Sequence, residues 1–125
     1  MKRLNTVLFT LLLSFFTHNL FAQSQSDIDF FAGKWSVLVK GTPSGDATMI
    51  FLLDKSDEGL TGVIQDTTGV EISKIDRVDL APEKMTVYFN AQGYDVNVDL
   101  SKKDEDHISG SLLSMFTAEG TRKKK

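Results

Sequence analysis

The sequence has no cysteine, two histidines and two prolines in 125 residues. The absent cysteine excludes a disulfide, a thiol nucleophile and the lipid-bearing residue that a bacterial lipoprotein carries at its cleavage point. Histidine is almost as scarce. His18 falls in an N-terminal leader, which leaves His107 as the one imidazole of the remaining chain and provides no histidine pair for zinc. Long apolar runs are missing too: the longest, Val7 to Phe16, spans about ten residues, roughly half of a membrane-spanning helix. Basic residues are fewer than acidic ones, 14 against 17. With 41% apolar and 25% charged residues, the composition excludes a wholly disordered, collagen-like or fibrous chain.

The first 22 residues are composed as a secretory signal peptide. Met1-Lys2-Arg3 forms the positive start, Val7 to Phe16 the apolar core, and Leu20-Phe21-Ala22 a cleavage box ending in a small residue. The expected product is a periplasmic or secreted protein with no stable membrane anchor, a single domain over residues 23–125. Without Lys2 and Arg3 it carries 12 basic and 17 acidic residues, a net charge near −5. So acidic a chain is ill suited to nucleic acid, whose phosphates demand a basic surface. The terminal run Arg122-Lys123-Lys124-Lys125 departs from this balance and reads as a solvated tail.

The dominant hydrophobic period is two. Tyr94 to Leu100 alternates without fault and predicts a strand with Tyr94, Val96, Val98 and Leu100 on one face. The same pattern groups Trp35, Val37 and Val39, then Met85, Val87, Phe89 and Ala91. Residues 47–55 are apolar on both faces, with Ile50 and Leu52 opposite Met49, Phe51 and Leu53, so their second side needs a cover. Turn chemistry at 57–59, 67–69, 81–84, 92–93 and 103–106 separates about eight expected strands: 35–40, 47–55, 59–66, 70–79, 84–91, 94–102, 107–113 and 117–123. One short helix is expected over Ser26 to Ala32, stopped by Gly33. The expected fold is all-β, an up-and-down antiparallel meander that closes as a barrel or folds as a sandwich.

An internal echo bears on that choice. A shift of 48 residues lays Leu52 to Gly62 over Leu100 to Gly110, both reading strand, charged hairpin, then apolar residue, hydroxyl and glycine. Gly62 and Gly110 fall inside strands, where glycine is costly unless the backbone bends or approaches its neighbour closely, as at barrel corners. The barrel is therefore favoured.

Phe31-Ala32-Gly33-Lys34-Trp35 resembles the first motif of the lipocalin and calycin barrels, and Gly120-Thr121-Arg122 resembles the closing strand of small secreted lipocalin-like barrels. The stretch from Gly33 through Gly62 is similar to small bacterial envelope barrel domains. The resemblance implies that Trp35, beside Gly33, packs at the closed end under Arg122. The chain lacks the Thr-Asp-Tyr motif and the disulfide of true lipocalins, and Gly41 to Asp46 has no room for the two helices of fatty-acid-binding proteins. The barrel carries over from the resemblance better than the ligand does.

Catalysis finds little support. His107 follows Asp104-Glu105-Asp106 and reads as an exposed turn residue. The acids lie in turns or on wet strand faces, not as a pair flanking a cleft. No phosphate loop or dinucleotide fingerprint is present. We therefore expect a non-enzyme without metal or cofactor. Trp35, Val37, Met49, Phe51, Met85, Phe89, Val96, Val98 and Leu112 would face inward, where an eight-stranded barrel either packs solid or holds one small apolar ligand. Tyr88 and Phe116 are read as exposed aromatics. The expected function is ligand binding or an envelope accessory role. A protein-interaction or inhibitor module with a solid core, presenting Gly41 to Asp46 or the basic tail, is the alternative.

Overall fold

The computed structural model describes residues 25–57 and 59–123. The expected signal peptide, residues 1–22, lies outside the described residues, as do Lys124 and Lys125 of the basic run. A short helix, α1 (Gln25–Phe31), precedes eight strands: β1 (Gly33–Thr42), β2 (Gly45–Ser56), β3 (Gly59–Gln65), β4 (Glu71–Ala81), β5 (Lys84–Ala91), β6 (Tyr94–Asp104), β7 (His107–Leu112) and β8 (Phe116–Arg122). Each strand pairs antiparallel with the next, and β8 returns to β1, so the sheet is a closed up-and-down barrel.

Alternation decides which residues fill it. Trp35, Val37 and Val39 of β1 face Phe51, Met49 and Ala47 of β2. Farther round, Phe89, Val87 and Met85 face Val96, Val98 and Leu100. Trp35, Val37, Phe51, Met85, Val87, Val98 and Leu100 are completely buried, and Phe51 and Phe89 meet edge to face across the interior at 6.2 Å. Each large side chain so buried contributes on the order of 2 kcal/mol. β8 is narrow on its inner side because Ala118 and Gly120 stand opposite Val39 and Val37, which leaves room for Ile108.

The two strand glycines mark close approaches. A Cβ on Gly62 would lie 1.8 Å from the carbonyl oxygen of Leu52, and one on Gly110 1.7 Å from that of Asp99. The echo extends to the hairpins: Ser56 faces Gly59 as Asp104 faces His107. A bulge between Lys102 and Asp104 then shifts the second register, so Gly62 sits opposite Leu53 but Gly110 opposite Leu100. On the outer side of β2, Ile50 is buried between Ser36 and Gln65, and Leu52 lies between Lys34 and Val63. The cover expected for that face thus comes from the flanking strands.

The two barrel ends differ. α1 lies at the end holding the β2–β3, β4–β5 and β6–β7 turns: Asp27 accepts a bond from the Glu83 backbone N–H at 3.0 Å, and Asp29 pairs with Lys55 at 2.5 Å. Between β3 and β4 the ladder runs only from Val63–Lys74 to Gln65–Glu71, and the strands part toward this end around a cleft bordered by Leu60, Thr61, Asp76 and Val78. The opposite end carries the β1–β2, β3–β4, β5–β6 and β7–β8 turns, and no described helix covers it.

Candidate functional site at the open end

The residues expected to face inward divide into two groups. Trp35, Val37, Phe51, Met85, Phe89 and Val98 are sealed in the packed core. Met49, Val96 and Leu112 are half-buried nearer the open end and pack against that core. The interior beneath them is filled by side chains, so a ligand would meet the mouth before anything deeper.

Gly33, Trp35 and Arg122 come together at the other end. Trp35 and Arg122 are register partners, and the guanidinium carbon lies 4.3 Å from the Trp35 ring centroid. The indole N–H donates to the Phe31 carbonyl at 2.9 Å. Arg122 donates to the carbonyls of Phe30 at 2.9 Å and Glu105 at 3.1 Å, and its Nη1 is the nearest atom to a Cβ placed on Gly33. This is a plug: each guanidinium nitrogen has a backbone acceptor, and Nε also pairs with the Asp106 carboxylate at 3.5 Å. Arg122 therefore does not belong to a solvated tail, and the Lys123 N–H continues the pairing by bonding the Lys34 carbonyl at 2.9 Å.

Two other expectations need correction. Gly41 to Asp46 is not a projecting loop: β1 and β2 extend into it, and the Asp46 carboxylate accepts the Gly41 N–H at 3.0 Å. Phe116 is half-buried against the core because it faces Leu112 on the inner side. Tyr94 shares the face of Val96 but stands at the first position of β6, at the mouth, with 74% of its surface exposed. Periodicity gives a face; it does not say where the barrel stops.

Tyr94 has company. All five exposed large hydrophobic residues among the described ones, Val70, Ile72, Tyr94, Leu113 and Met115, lie on open-end turns or the strand positions beside them. Soluble surfaces scatter such residues singly, whereas here they gather at one end of the barrel. The β7–β8 turn makes the point sharper. Leu113 and Ser114 both adopt positive φ, 54° and 56°, with the Met115 N–H bonded to the Leu112 carbonyl at 3.0 Å. Consecutive positive-φ positions in a hairpin connection prefer asparagine and glycine, yet this three-residue connection places leucine at the first, 40% exposed, and ends on methionine, 73% exposed. Glu83 and Gln92 adopt the same region singly in two other turns, at 57° and 53°. The signal was present in the sequence as Leu113-Ser114-Met115 standing where a turn is required.

Below this rim a cleft of about 450 Å³ opens among Asp76, Arg77, Tyr88, Asp95, Asn97 and Leu113, and two of the residues expected to face inward, Phe89 and Val96, also border it. The Arg77 guanidinium lies over the Tyr88 ring at 3.9 Å and beside Asp79 at 3.4 Å, so Tyr88, expected as an exposed aromatic, is half-buried and already engaged. The Tyr88 and Asp79 neighbours hold the Arg77 pKa above its usual range.

His107 opens β7 beside the β6–β7 turn at the plugged end, its Nδ1 2.7 Å from Asp104. The Asp106 N–H, then His107, hold the Asp104 carboxyl below the usual carboxylate range. Among the described residues no group of three acidic or histidine side chains is arranged to hold a metal ion. No protein-family model matches the chain, and no curated protein matches it either.

Proposed function

We propose that this is an exported, non-enzymatic barrel of lipocalin-like type that binds a partner on the rim of its open end. The observation that carries this reading is the gathering of Val70, Ile72, Tyr94, Leu113 and Met115 at the end that α1 leaves uncovered. The filled interior favours docking over the mouth, as an interaction module does, above enclosure of a small ligand. The composition of the leader supports export, and an envelope accessory role is consistent with both.

The reading is tested with a neutral apolar fluorophore, N-phenylnaphthylamine, titrated into the purified protein. Its emission rises on binding the native protein, and the rise is lost when Leu113→Asn and Met115→Ser are combined. An emission change that survives those substitutions, or none in the native protein, would contradict the assignment.

A further inference from the structure

We propose that the partner of the open end is a cationic amphipathic peptide segment, whose apolar side chains lie on the rim and whose lysine or arginine enters the cleft below it. This inference rests on the rim being a binding surface and adds the chemistry of what binds there.

Charge selects the occupant. The acidic groups of this half are Asp46, Asp66, Glu71, Asp76 and Asp95, and the basic ones Lys40, Lys74 and Arg77. Two carboxylates are occupied by their own turns: Asp46 accepts from Gly41, and Asp66 accepts from Thr68 and Val70. Asp95 accepts only a 3.3 Å bond from the Asn90 amide, and among the described residues no basic side chain pairs with Glu71, Asp76 or Asp95. Two of the three cations are also committed, Lys40 to Glu119 at 3.3 Å and Arg77 to Asp79 at 3.4 Å. Lys74 alone has no ion pair among the described residues. The surface is thus apolar and uncompensated in negative charge, which repels anionic lipid and favours a ligand that is apolar and cationic together.

The cleft supplies the geometry. Asp76 stands at the β4 irregularity between Ile75 and Arg77, and Asp95 follows Tyr94 at the start of β6, so both carboxylates border one cleft. Leu113 borders the same cleft and belongs to the rim. Arg77 lines the same cleft, but its charge is engaged by Asp79 and the Tyr88 ring, which leaves the two carboxylates to receive an incoming cation. A side chain reaching into the cleft would meet charge while its neighbours meet Leu113, Tyr94 and Met115.

The experiment titrates the native protein with three short synthetic peptides: lysine alternating with leucine, glutamate with leucine, and lysine with serine. Only the lysine–leucine peptide binds, and added salt weakens it. Combining Asp76→Asn with Asp95→Asn lowers its affinity roughly three- to tenfold, the range expected for two exposed charge contacts. N-phenylnaphthylamine binding stays unchanged in that variant. Equal binding of the glutamate–leucine peptide, or no effect of the paired substitutions, would overturn the inference while leaving the rim reading intact. Loss of both peptide and fluorophore binding from the native protein would overturn both. Tighter binding to phosphatidylglycerol vesicles, or self-association abolished by Met115→Ser, would assign the rim to lipid or to a second copy and likewise overturn it.

Discussion

Arg122 and Trp35 face each other across the β1–β8 ladder, the guanidinium stacked 4.3 Å above the ring that it helps to bury. The first and last strands are thereby closed where α1 enters, and the pair reports on the whole plug. Trp35 is the only tryptophan and has no exposed surface, so its emission should be blue-shifted and inaccessible to iodide. Arg122→Ala removes the stacking and the bonds to Phe30 and Glu105, and should cost about 2 kcal/mol. A double-mutant cycle with Trp35→Phe should give a coupling of about 1 kcal/mol by chemical denaturation; strict additivity would contradict the contact.

The strand glycines Gly62, Gly110 and Gly120 should not respond alike. Alanine at Gly62 or Gly110 meets a neighbouring carbonyl oxygen at 1.8 or 1.7 Å, and backbone must move. Each should lose at least about 3 kcal/mol or fail to fold. Alanine at Gly120 meets Ile108 Cγ1 at 2.5 Å, the side chain of a residue that can be trimmed. Its cost should be about 1–3 kcal/mol, and Ile108→Ala, which removes both Cγ1 and Cδ1, should cost less in that background than in the native protein. Equal losses at all three positions in urea melts would contradict this distinction.

Leu113→Asn should raise stability, because asparagine accepts the positive φ that leucine occupies at 54°. The gain should be about 1 kcal/mol, measured by thermal unfolding. The same variant should bind N-phenylnaphthylamine more weakly. A stabilised variant with unchanged binding would show that Leu113 serves only the turn.

Acid should destabilise the barrel in a defined window. Asp29, Asp66 and Asp104 are all held below the usual carboxylate range, by the Lys55 side chain, by Thr68 and by the Asp106 backbone N–H respectively. A carboxylate lowered in the folded state contributes stability above its unfolded pKa, about 3.9, and loses it as pH falls through the folded value. The melting temperature should therefore change little through these groups from pH 7 to about 5 and fall below about 4. Asp66→Asn should reduce that acid-dependent drop; a drop of unchanged size would remove Asp66 from its cause.

Much of this architecture was legible because a barrel imposes one rule on every residue. The alternation in Tyr94 to Leu100 identified the inner face of β6, and two glycines inside strands pointed to corners. The Trp35–Arg122 contact came from a resemblance in short motifs and is present in the structure. What alternation omits is height along the barrel axis. Tyr94 and Val98 share a face, yet one is exposed at the mouth and the other fully buried. Phe116 was misplaced for the converse reason, since a residue beside a turn can still point inward. The cleft was hidden because Asp76 and Asp95 are brought together by strand pairing and a bulge across about 20 residues of sequence.

The location of binding is tested most directly by two-dimensional amide NMR on the folded protein during titration with the lysine–leucine peptide. The largest shifts should fall on residues 70–72, 76–77, 94–97 and 113–115, with Trp35 and Arg122 unmoved. Shifts confined to the α1 plug, or to residues 60–62 and 78–80 where β3 and β4 part, would place the partner elsewhere and contradict the assignment of the open end.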